Sequence, residues 1–290
     1  MPAPPAIVIR DLRSIEDLSH AISLEKEVWS SDDLDLTSLT FAIASREAGH
    51  LWLGGFDGPR LVGYAFAFHS YEQGKLSLHS HMLAVRQSYR EFDVGTKLKL
   101  AQRDHALAQK IREITWTFDP LQSKNAHLNF AKLGVVSDAY KVDFYGPQTS
   151  SALHQNGTDR LWVQWPVASR RVEDRLRGKD PRPEMLDALS TVQPLVRFNG
   201  EGKPALSDLP SALRRQRVAI EIPSNIGEIE TTDFALARQW REATRWAFTE
   251  SLKAGFIVAG FCRTLRGQQG PGAYLLEKGT IGECVPELGT

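Results

Sequence analysis

A chain of 290 residues, 42% hydrophobic and 24% charged, is long enough to bury a core, as one large domain or two modest ones. That composition excludes a disordered, collagenous or coiled-coil molecule. Lys plus Arg and Asp plus Glu both number 35, so the formal net charge is zero and the basic excess of a nucleic-acid binder is missing. The longest apolar run, Leu61 to Phe68, is strand-sized, so no membrane association is expected. The opening Met1-Pro2-Ala3-Pro4-Pro5-Ala6 lacks the basic and apolar regions of a signal peptide. Cys262 and Cys284 have neither metal-ligand nor disulfide spacing; no metal is expected, and both read as thiols in a reducing cytoplasm.

The first 168 residues alternate between helical and extended patterns. Ile7 to Arg10 is a β-branched first strand. Ile15, Leu18, Ile22 and Val28 recur at helical spacing; Ser30 to Asp33 interrupts them and can cap the next helix. Leu36, Leu39 and Ile43 make that second, short helix, which ends near Gly49. His50 to Phe56 and Leu61 to Ser70 are strands joined by the turn Asp57-Gly58-Pro59-Arg60. Leu76 to Val85 is a strand, Val94 to Ile111 a helix and Ile114 to Phe118 a strand. Ala126 to Leu133 is a short helix, and Lys141 to Tyr145 and Leu161 to Val167 are further strands.

Residues 169–183 carry six basic residues with Gly178, Pro181 and Pro183, the composition of a solvated linker. Residues 184–290 read as a smaller module: strand Arg217 to Ile222, helix Asp233 to Leu252, strands Phe256 to Cys262 and Ala273 to Leu276. Trp240, Trp246 and Phe248 on that helix call for burial against the first domain or a second subunit, and a homodimer fits this reading. Arg238, Arg241 and Arg245 share one helix face, which reads as solvated, the alternative being that it meets an acidic substrate.

The chemistry concentrates between Leu83 and Val135. A buried strand ends in a short loop and a helix, whose first amides have no intrahelical acceptor and whose dipole favours an anion. Gly95 lets a phosphate approach the backbone, and Arg86, Arg90, Lys97, Lys99 and Arg103 add positive charge. The stretch has neither the spacing of a Walker A loop nor the three glycines of a dinucleotide fingerprint. Asp93 reads as the N-cap of the helix that begins at Val94.

Arg90-Glu91-Phe92-Asp93-Val94-Gly95 resembles the pyrophosphate loop R/Q-x-x-G-x-G/A of the GNAT acyltransferase superfamily, with aspartate at the first glycine position. Leu83-Ala84-Val85 before it, Trp116 to Leu121 after it, and Asn125-Ala126 through Phe130 to Val135 resemble the flanking family segments in the same order. The resemblance covers a little over half the chain. It implies a mixed α/β GNAT fold, with a mostly antiparallel central sheet flanked by helices, over residues 1–168. The strand-helix-strand order of residues 184–290 is compatible with a partial GNAT-like repeat.

The resemblance further implies an acetyl-CoA or other acyl-CoA cosubstrate. It would be held by Leu83, Ala84, Val85, Arg90, Glu91, Phe92, Asp93, Val94, Gly95, Thr96 and Asn125. Many members carry a tyrosine that protonates the leaving thiolate where this chain has Phe130. His79 and His81 on one strand face are candidate bases, and Tyr140 or Tyr145 a candidate acid. Glu25 and Glu27 either line an acceptor pocket or form a solvated helix face. The implied activity is direct acyl transfer to a primary amine of a small molecule or peptide. The alternative is a catalytically degenerate binding or assembly module on the same fold.

Overall fold

The computed structural model describes residues 5–29, 35–72, 74–146, 154–179, 182–263 and 270–285. The expected cap at Ser30 to Asp33 lies outside them. The chain divides into two compact units: Met1–Trp116 with Thr149–Gln155, and Thr117–Gln148 with Asn156–Thr290. No helix among the described residues is long and apolar enough to cross a membrane.

In the first unit, strands β1 (Ile7–Asp11), β2 (Leu51–Asp57), β3 (Arg60–Glu72) and β4 (Lys75–Val85) pair antiparallel in chain order. Strand β5 (Glu113–Phe118), which runs across the boundary between the units, joins β4 in parallel. Strand β3 alternates Tyr64, Phe66 and Phe68 with Gly63, Ala65 and Ala67, so the period of two sorts large and small side chains onto opposite faces. The large residues pack with Trp52 against Leu18, Ala21 and Leu24 of α1 (Ile15–Trp29) and Ala42 of α2 (Leu39–Glu47). The small face receives α3 (Val94–Ala108). A Cβ on Gly63 would lie 2.9 Å from Val94 Cγ1 and 3.1 Å from the Ala84 carbonyl oxygen, so this glycine lets the first turn of α3 lie close against the sheet.

In the second unit, β6 (Val136–Lys141), β7 (Arg160–Pro166), β8 (Pro194–Phe198), β9 (Pro204–Leu206), β10 (Arg217–Ile222), β11 (Phe256–Cys262) and β12 (Gly272–Lys278) lie in the order β7-β6-β11-β12-β10-β8-β9. The helices are α4 (Ser123–Ala126), α5 (Arg170–Leu176), α6 (Arg182–Ser190), α7 (Leu209–Leu213), α8 (Ile226–Thr232), α9 (Phe234–Lys253) and α10 (Ile281–Cys284). Helix α4 continues as a π-helical turn, His127–Leu133, that stops at left-handed Gly134.

Three expectations change here. Of the expected strand Lys141 to Tyr145, Lys141 ends β6 and Val142 to Tyr145 is a turn. Asp143 sits at φ 45° and its amide donates to Asp159 Oδ1 at 3.0 Å, so a buried carboxylate shapes a segment whose alternation reads as extended. Part of the expected linker is helix α5, capped by Ser169, whose Oγ accepts from the Val172 amide. Arg171 in it donates to the Gly134 carbonyl at 2.9 Å, so this arginine is structural.

Of the arginine face of α9, Arg238 is exposed, but Arg241 and Arg245 are engaged by carboxylates. Buried residues recur at Ala237, Trp240, Arg241, Thr244, Ala247, Phe248 and Ser251, a helical stripe. The guanidinium of Arg241 makes a two-bond fork to Asp119, at 2.8 and 2.9 Å. Arg245 binds Asp159 and Asp143. The late segment of the expected 1–168 domain is thus tied to the C-terminal helix within one compact unit.

Removing one partner of a buried ion pair strands the other charge, so Arg241→Ala should cost about 3–5 kcal/mol in urea denaturation. An unchanged midpoint would count against the assignment. Burial raises both Asp119 and Asp159, but their arginines more than offset it and hold both below the ordinary carboxylate value. Their contribution is therefore complete above about pH 4 and is lost as the pH falls through the lowered folded values. A fragment cut after Ala168 loses α9 and is expected to aggregate; equal stability in a soluble 1–168 fragment would contradict this.

Candidate functional site

The site is set by where two strands part. The β4–β5 ladder comprises Leu78 opposite Ile114 and His79 opposite Thr115. Beyond it, Leu83, Ala84 and Val85 pair with Ala65, Tyr64 and Gly63 of β3, which leaves the other edge of β4 facing a gap. A β-bulge marks the fork: Phe66 and Ala67 are consecutive, yet their partners are Met82 and Ser80, so His81 is an extra residue in β4. The rings of His79 and His81 lie 5.1 and 5.9 Å from Phe68 and 6.3 Å from each other, so the two histidines do share a face. The bulge then reverses the alternation, and Met82 and Ala84 pack toward α1 and α2.

His79 is buried and His81 exposed. The Thr115 hydroxyl donates to Glu72 Oε1 at 2.8 Å and lies 2.9 Å from His79 Nδ1. A hydroxyl has one proton to give, so Nδ1 carries the imidazole hydrogen and Nε2 is the basic nitrogen. Burial, then the neighbouring His81 and Lys99, lower the His79 pKa to about 4, so the ring is neutral at pH 7. Desolvation also lowers His81.

After β4, residues Gln87–Phe92 form a 3₁₀ turn that carries Arg90, Glu91 and Phe92 on the exposed surface. Asp93 follows at φ 54° and ψ 23°, the left-handed conformation that glycine adopts most readily and aspartate tolerates. Its side chain makes no cap hydrogen bond, contrary to the expected N-cap role. The amides of Val94, Gly95 and Thr96 therefore begin α3 without a side-chain cap from Asp93. A Cβ on Gly95 would meet Leu83 at 3.6 Å and Val85 at 4.0 Å, ordinary contacts, so packing within the chain does not demand glycine here. Glycine inside a helix costs roughly 0.5–1 kcal/mol relative to alanine, so the residue is not there for helix stability.

Of the five basic residues expected around this loop, Arg90 and Lys97 are exposed. Arg86 is paired with Glu27 and donates to the Leu61 carbonyl. Lys99 is buried on the sheet side of α3, away from the loop surface.

Residues 11–135 match the sequence profile of the acetyltransferase (GNAT) family. Over those residues the chain carries a GNAT domain. No curated protein matches it. Solved structures similar to it include the ribosomal-protein-S18-alanine N-acetyltransferase of Escherichia coli, at 14% identity and TM-score 0.45, over 56% of this chain and 94% of that one. An N-acetyltransferase of Staphylococcus aureus Mu50 has 12% identity and TM-score 0.45, over 56% and 98%. An acetyltransferase of unproven activity from Acinetobacter baylyi ADP1 has 13% identity and TM-score 0.46, over 57% and 93%.

The remaining candidates each lie within one unit. Tyr140, in the second unit, donates its hydroxyl to Asp159 Oδ2 at 2.6 Å and stacks on Phe248; burial and the Asp159 charge push its pKa well up. Asn125 is exposed on α4 and Phe130 is buried edge-on against Tyr274, both in the second unit. Glu25 is not solvated and has no cation partner among the described residues: it is buried and accepts from the Tyr64 hydroxyl and the Thr37 amide, both at 3.1 Å. Burial raises its pKa. Sequence reasoning missed Thr115 and Glu72, because their role depends on adjacency between strands distant along the chain.

The neutral His79 has a pH signature. With an ordinary value of 6.5 and a folded value of about 4, the unfolded chain takes up a proton first as the pH falls. Stability should drop by on the order of 3 kcal/mol between those limits, and His79→Gln should flatten that part of the slope. Urea denaturation at neutral and acid pH checks this; an unchanged slope in the variant would mean that His79 titrates normally.

Proposed function

We propose that this GNAT domain is an acyl-CoA-dependent N-acyltransferase, with acetyl as the simplest acyl group, acting on a primary amine of a small molecule or peptide. The observation that carries the reading is the conjunction of the β4–β5 fork with an α3 first turn that has no side-chain cap and bears Gly95, a glycine that the chain's own packing does not require. Helix amides at Val94 to Thr96 suit a pyrophosphate, and the free edge of Leu83 to Val85 suits the amides of a pantetheine arm.

Transfer forms a bond from the amine nitrogen to the thioester carbonyl carbon and breaks the carbon–sulfur bond. The amine loses a proton and the departing thiolate gains one, so the products are an amide and the CoA thiol. A strand amide at the gap stabilises the oxyanion. Neutral His79, with Nδ1–H held by Thr115, has the tautomer that accepts the amine proton at Nε2, directly or through water. Tyr140 is an unsuited acid, since its proton is held in a short bond to Asp159.

Gly95→Glu places bulk and negative charge where the phosphates would lie, and should abolish CoA binding in thermal-shift assays without unfolding the protein. Unchanged affinity in a folded variant would reject the site. Asp93→Gly relieves the left-handed backbone and removes a carboxylate beside the anion site. It should tighten CoA binding with no loss of stability, because no cap bond is broken. Weaker binding would mean that Asp93 helps hold the loop. A CoA-induced shift without turnover on any amine would favour the degenerate binding module.

A further inference from the structure

Lys99 straddles the fork. Ser80 is the first β4 residue past the ladder position His79, and Trp116 is the first β5 residue past Thr115. The Lys99 ammonium nitrogen donates to Ser80 Oγ at 2.8 Å and lies 3.6 Å from the centroid of the Trp116 ring. It therefore touches both strands where they separate. The side chain is 4% exposed and has no carboxylate partner among the described residues. Beside it, Gln102 is fully buried; its Oε1 accepts from Ser80 at 2.9 Å, while its Nε2 has no hydrogen-bond partner.

A buried lysine without a counter-ion is expensive, and so is a buried amide N–H₂ without an acceptor. Nothing in the packing of α3 requires either group, since apolar residues of similar length would fill the same space. Both are donors that lack an anion, and the Ser80 hydroxyl, which accepts from Lys99 and donates to Gln102, holds them side by side. Burial lowers the Lys99 pKa well below the ordinary lysine value, as expected of an amine that waits for its counter-charge.

We propose that Lys99 and Gln102, positioned by the Ser80 hydroxyl between them, form an anion subsite at the closed end of the β4–β5 gap, which receives a carboxylate at the far end of the acyl chain. The donor would then be the monothioester of a dicarboxylic acid, of succinyl size, rather than a plain acetyl group. This rests on the acyl-CoA reading above: an acyl chain entering the gap beside Leu83 to Val85 and running toward His79 ends at Ser80 and Lys99.

The test compares the affinities of CoA, butyryl-CoA and succinyl-CoA for the intact protein by calorimetry. Butyryl has the same carbon count without the carboxylate. Succinyl-CoA should bind about tenfold or more tightly than butyryl-CoA, the effect of one charge-assisted contact. Lys99→Met should abolish that preference and leave the affinity for CoA itself unchanged; Gln102→Leu should reduce it. Equal or weaker binding of succinyl-CoA by a protein that binds CoA overturns the subsite and spares the acyl-CoA reading. The same holds if the preference persists in Lys99→Met. Failure to bind any of the three overturns both.

Discussion

Two neighbouring strands share a ladder at Leu78–Ile114 and His79–Thr115 and then part. A parallel ladder satisfies backbone groups on both strands, so its end leaves unpaired polar edges that a protein does not keep without a use. The extra residue at His81 bends β4 at this point and turns Leu83 and Val85 toward α3. Ser80 and Trp116, just past the last rung, hold Lys99 between them. His79, on the last rung, receives its tautomer from Thr115 across it. His79, the open strand edge and the buried amine all depend on the position of one rung.

Small residues supply the other half of the arrangement. Gly63 leaves room for Val94, so the first turn of α3 can lie against β2 and β3 and present its amides at the end of β4. Gly95 keeps that first turn bare. Asp93 occupies a left-handed position that the family motif fills with glycine, so its cost is conformational as well as electrostatic.

The second unit rests on a different balance. Asp119, Asp143 and Asp159 face Arg241 and Arg245 from α9, so carboxylates from the middle of the chain meet guanidiniums from its last third. These pairs fix register and orientation more than they add stability, since each charge gives up water to join. The Tyr140 hydroxyl belongs to this network through Asp159. The same residue stacks on Phe248, so its ring and its hydroxyl are both engaged within the second unit.

The sequence by itself determined the elements whose patterns are local. The bounds of β10 and β11, the α3 helix after a short loop, and the hairpin over Gly58 arise from periodicity and turn chemistry. The Arg90 to Gly95 motif, with its flanking segments, identified the superfamily before any coordinate. Tertiary structure alone decided which charges are buried. Glu25 and Arg241 read as solvated because helical spacing places them on a face without saying what covers that face. The turn at Asp143 reads as a strand because the Asp159 carboxylate that shapes it lies 16 residues away. The His79–Thr115–Glu72 chain and the Lys99 cluster are invisible for the same reason. Each needs strands or helices brought together by the fold, and a pattern of residue types records propensity and spacing but not adjacency.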